Sequence, residues 1–138
     1  MDTTRLLAAV GATLVFNMAF SFLVHNLLLG RYYQQYAGGF LRSEQEVKRK
    51  GVWLMSGWAL FTATFCVILI ALRPQLDVMD GVVYGLGMGV LMIAVHLSLY
   101  ATLPMPRRMA VLWTVTDIFA STGAGAVAAA VYSAEGPR

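Results

Sequence analysis

GVVYGLGMGVLMIAVHLSLYATL, residues Gly81 to Leu103, carries no charge over a length sufficient to cross a membrane. Gly81, Gly85, Gly89, Met92 and His96 recur along it at spacings of four, four, three and four. Residues three and four apart share one face of a helix, so these five form a single stripe. Small residues at four-residue spacing let two helix backbones approach closely in lipid, where packing and hydrogen bonds replace the hydrophobic drive between helices. The stripe therefore predicts a helix packed on another helix, with His96 turned toward protein rather than lipid.

The rest of the chain suits the same solvent. Of 138 residues, 59% are hydrophobic and 12% charged, and the mean hydropathy is +0.68. A soluble domain carries about twice that share of charge. Three further apolar segments are legible, at 6–29, 52–72 and 109–132. Ser43 stands three residues before Glu46, a capping-box spacing that starts the second helix near residue 44, in water. Arg73-Pro74 ends that helix, Pro104 and Pro106 end the third, and the short link between them makes the second and third helices antiparallel neighbours. The fold class is an all-α membrane protein, a four-transmembrane-helix antiparallel bundle with helices at about 6–29, 44–72, 81–103 and 109–132. Between the first two lies a short interfacial segment with Tyr32, Tyr33, Tyr36 and Phe40 on one side, a composition suited to the membrane–water boundary. Ala120, Ala124 and Ala128 form a second close-packing stripe on the last helix.

Orientation follows from the basic residues. The first and third loops hold seven of the ten lysines and arginines: Arg31, Arg42, Lys48, Arg49, Lys50, Arg107 and Arg108. Arg5, Arg73 and Arg138 are on the other side. This asymmetry places loops 1 and 3 in the cytoplasm and both termini outside, in a bacterial inner membrane. Nucleic acid is not an expected partner, because the basic residues gather at helix ends. The single cysteine, Cys66, excludes an intrachain disulfide and a cysteine-based metal cluster.

Four polar side chains are costly in lipid: Asn17, His25, His96 and Asp117. Counted from the helix ends, the last three lie roughly 6, 10 and 12 Å below the cytoplasmic boundary, one layer of the bundle. Asp117 shares a face with Thr114 and Ser121, within reach of His96 or His25. It is either a group that handles a proton, a cation or a polar ligand, or a neutral or histidine-paired aspartate joining helices. His25 and His96 are the candidate metal ligands, since imidazoles on two helices at matching depth suit a haem iron or another metal ion. No third ligand accompanies them, so a protein without a cofactor is the plainer expectation. Asn17 is read as an interhelical hydrogen-bond donor.

HNLLLGRYYQQ (25–35), FLRSEQEVKRK (40–50) leading into WLMSGW (53–58), and VVYGLGMGVLM (82–92) together resemble the small four-helix bacterial membrane proteins grouped under domains of unknown function. The resemblance covers nearly the whole chain and implies a fold without an activity. Drug-efflux transporters of similar size carry a glutamate in their first helix, where this chain has only Asn17 and His25. Two functions remain open. One is a non-catalytic subunit, self-associating or joined to a larger membrane complex through its glycine and alanine faces. The other is a small-ligand, proton, metal or haem binder, carrier or membrane enzyme built on His25, His96 and Asp117.

The orientation is open to direct measurement. In intact cells a Ser43→Cys variant is expected to resist an impermeant thiol reagent and a Ser133→Cys variant to react. The opposite labelling would invert the topology.

Overall fold

The computed structural model describes residues 2–133 apart from 38, 40 and 74. Pro74, read above as a helix stop, and Phe40 of the aromatic segment thus lie outside the described residues. Among the described residues six α-helices follow in order: α1 (Thr3–Ser21), α2 (Gly30–Gln34), α3 (Glu44–Arg49), α4 (Gly51–Leu72), α5 (Val78–Thr102) and α6 (Arg107–Ser133). α1 continues into a wider π-helical stretch, Phe22–Leu28, so that Thr3–Leu28, α4, α5 and α6 are each long and apolar enough to cross a membrane.

Capping chemistry sets most of the helix starts. Asp2 accepts from the Arg5 N–H to open α1. Ser43 and Glu46 form the expected reciprocal box. The N–H of Ser43 bonded to Glu46 holds that carboxyl below its ordinary value. The expected continuous helix from 44 is nevertheless broken. Lys50 takes φ −100° and ψ 12°, its N–H closes on Glu46 and Val47, and Gly51 starts a new helix. α5 begins three residues before the expected Gly81, because Asp77 and Asp80 make a second reciprocal cap. α6 gains Arg107 and Arg108 at its start, relative to the expected 109.

The tightest contact joins α5 and α6. A Cβ on Gly81 would fall on the Gly125 carbonyl and the Ala129 methyl, one on Gly85 on the Ser121 carbonyl, and one on Gly89 on the Ile118 backbone. A Cβ on Gly125 would strike the Gly81 carbonyl in return. Residue numbers fall along α6 as they rise along α5. With hydrogens in place of those Cβ atoms, the backbones meet through Cα–H···O=C contacts, worth about 0.5–1 kcal/mol each. Ala124 and Ala128 are buried, as expected. Ala120 does not take part, because the contact is centred on Ser121 and Gly125, one residue along and therefore about 100° around the helix.

α1 lies along α6, with the Phe16 ring over Gly123 and the Asp2 N–H donating to the Tyr132 hydroxyl at 3.2 Å. α4 leans on α1, where Asn17 Nδ2 donates to Thr62 Oγ1 at 3.2 Å. The expected pairing of the second and third spanning helices is only partial. α5 packs chiefly on α6 and meets α4 through side chains, notably Phe65 edge-on to Tyr84 with ring centres 4.9 Å apart. The apolar core, Ala9, Phe65, Cys66, Leu69, Ile70, Leu76, Ala124, Ala128 and Ala129, fills one end of the bundle. Every buried residue of α4 falls in its second half, from Thr62 onward. Its first half stands away from the other helices, and Trp53 is 79% exposed.

This packing predicts opposite responses at two neighbouring glycines. Gly85→Ala forces a methyl into the Ser121 backbone, and overpacking of this kind costs about 1–3 kcal/mol. A Cβ at Gly87 meets nothing within 4 Å, so Gly87→Ala is expected to be neutral or mildly stabilising. Thermal unfolding of both variants in detergent checks the pair.

Candidate functional site

Where α4 stands off, a cleft of about 330 Å³ opens between it and the α5–α6 pair. α4 contributes Trp53, Leu54, Gly57, Trp58 and Phe61 to its wall, and the opposite side carries Asn17, Met92, Asp117, Ala120 and Ser121. Ala120, expected as a packing residue, is thus a wall residue. An aromatic-rich cleft with a few convergent polar groups has the composition of a small-molecule site.

Asp117 is the one acidic group on this wall. Its Oδ2 lies 3.4 Å from His96 Nε2, with the carboxylate side chain 34% exposed and the imidazole 9%. The other imidazole nitrogen, Nδ1, is 3.2 Å from Thr114 Oγ1, and Thr114 donates its own proton to the Ala110 carbonyl at 2.8 Å. Both nitrogens of His96 therefore have protein partners. The pair also separates two spaces. Asp117 faces the cleft, whereas His96 lines a second groove of about 290 Å³ with Tyr100, Arg107 and Thr114.

His25 does not join this pair. Its Nδ1 is 2.6 Å from the Tyr33 hydroxyl, and the two rings stack with centres 5.7 Å apart. Tyr33 in turn accepts from Trp113 Nε1 at 2.8 Å. With the His25 proton on Nε2, the single Tyr33 proton is donated to Nδ1 and the oxygen stays free to accept. The π-helical turn, marked by the Leu29 N–H bonding back five residues to Val24, precedes the sharp turn into α2 that returns Tyr33 to His25. Burial pushes the Tyr33 phenol above its ordinary value, while the hydrogen bond from Trp113 draws it part of the way back.

The expected layer of two imidazoles and a carboxylate is thus divided. His96 and Asp117 form one unit, and His25, Tyr33 and Trp113 form another. Among the described residues no three His, Cys, Asp or Glu side chains come together as a metal site. Asn17 occupies its expected inward position, bonded to Thr62 at the edge of the cleft. Sequence reading missed Tyr33 and Trp113 as site residues. Both look like interface aromatics from composition, and only their spacing around His25 and Asp117 hinted otherwise.

No family model, curated protein or solved structure matches the chain. The functional reading rests on the geometry just described.

Tyr33→Phe removes the oxygen that joins His25 to Trp113. A lost buried hydrogen bond costs about 0.5–1.5 kcal/mol, so a lower melting temperature is expected together with a change in the near-UV tryptophan signal. An unchanged signal would show that α2 does not reach into the bundle.

Proposed function

We propose that this chain is a small integral membrane protein that binds a hydrophobic organic cation in the cleft between α4 and the α5–α6 pair. In this reading all four long helices cross the inner membrane of a bacterium as an antiparallel bundle, with loops 1 and 3 cytoplasmic and both termini outside. One observation carries the proposal: the Asp117 carboxylate is one-third exposed on the wall of a cleft whose other wall holds Trp53, Trp58 and Phe61. A carboxylate compensates the charge of a cation. Aromatic faces attract that cation through their quadrupoles, by about 0.5–2 kcal/mol each. The surrounding lipid strengthens both effects by excluding water. The role is that of a binder or carrier rather than a catalyst.

A second reading is a subunit that joins a second copy or a larger membrane complex. The bare first half of α4, with Val52, Leu54 and Leu60 exposed, supports it. The glycine and alanine faces that first suggested association do not, because Gly81, Gly85, Gly89, Ala124 and Ala128 are used within the chain.

Benzyltrimethylammonium added to the detergent-solubilised protein is expected to quench tryptophan emission saturably. Asp117→Asn should weaken binding by at least about tenfold, the equivalent of 1.4 kcal/mol. No saturable quenching, with the protein migrating as a dimer or larger species, would favour the subunit reading instead.

A further inference from the structure

We infer that the cleft exchanges its cation for a proton: each cation that binds at Asp117 drives one proton off the His96–Asp117 pair. The inference rests on the cation-binding reading above and goes beyond it in assigning a coupling.

Counting protons around the pair gives the argument. Thr114 has one hydroxyl proton, and the Ala110 carbonyl lies 2.8 Å from its oxygen. With that proton on Ala110 the Thr114 oxygen accepts from a protonated Nδ1 across the 3.2 Å contact, and with it turned to Nδ1 the imidazole proton sits on Nε2; the imidazole is neutral either way. The opposite nitrogen, Nε2, faces Asp117 Oδ2 at 3.4 Å. A neutral imidazole and an ionised carboxylate would leave this half-buried pair with a net negative charge. One additional proton between Nε2 and Oδ2 makes the pair neutral, whichever atom holds it. Uncompensated charge is costly among apolar helices, so the resting pair keeps that proton.

A permanent cation entering the cleft changes the balance. If the shared proton stays, two positive charges compete for one carboxylate in a medium of low dielectric constant. If it leaves, the cation and carboxylate neutralise each other, and His96 remains a neutral imidazole bonded to Thr114. One charge in and one proton out keep the site neutral.

Arg107 is the one other charged side chain lining either space beside the pair among the described residues. α4 presents Trp53, Trp58 and Phe61 to the cleft, and α1 presents Asn17. Tyr33 in α2 feels the charge of Asp117, but burial holds its phenol in the neutral form. His25 is engaged with Tyr33, and Arg107 and Tyr100 stand in the second groove.

Titration calorimetry with benzyltrimethylammonium, in two buffers of different ionisation enthalpy, counts the protons. This probe has no exchangeable proton, so any proton released comes from the protein. About one proton per bound cation is expected, with affinity rising about tenfold per pH unit while the pair retains its proton. Binding with the same enthalpy in both buffers would overturn the exchange while leaving the cation site intact. Absence of binding in either buffer, with the protein folded by circular dichroism, would overturn the site and the exchange together. Asp117→Asn is expected to bind weakly and release none. Parental affinity in that variant would refute both.

Discussion

The close approach of α5 and α6 is the constraint on which the rest of the structure depends. Gly81, Gly85 and Gly89 bring one backbone against Gly125, Ser121 and Ile118 of the other, at positions where any Cβ would collide. Side chains do little of the work at this contact, so it fixes the register of the two helices along their whole length. That register carries His96 to the level of Thr114 and Asp117, two turns beyond the last glycine. The buried pair is in this sense a consequence of the glycine stripe. Moving the stripe by one residue would turn His96 about 100° away from α6.

The second organising feature is uneven packing of α4. Its later half holds Thr62, Phe65, Cys66, Leu69 and Ile70 against α1 and α6, while its earlier half touches little. The bundle is consequently packed along α1, α5 and α6, with a cleft beside the first half of α4. The cleft is where the polar groups lie. Asn17 and Thr62 mark the boundary, hydrogen-bonded just where the core gives way to the cleft. A carboxylate in lipid needs a partner, water or a ligand. Here Asp117 has a histidine behind it and an open aromatic wall in front, an arrangement suited to a charge that changes partners.

Tyr33 organises the end of the bundle where α2 meets α6. Folded back from α2, its hydroxyl lies between His25 and Trp113 and closes the bundle beside Asp117. This contact separates His25 from His96. It leaves two small polar units rather than one.

The four apolar segments, the helix cap at Ser43–Glu46 and the glycine face of the third segment were legible from the chain alone. Periodicity and hydropathy are local properties, and these features follow from them. Which partner each face meets is not local. A stripe of small residues announces a close contact without naming its other half, and the alanine stripe at 120, 124 and 128 differs by one residue from the contact actually used. The partner of His25 depended on a π-helical turn and a chain reversal, for which hydropathy carries no signal. The cleft arose because half of α4 found no helix to lean on. Those pairings emerge only in the packed chain, because each depends on rotations of about 100° per residue summed over elements far apart in the chain.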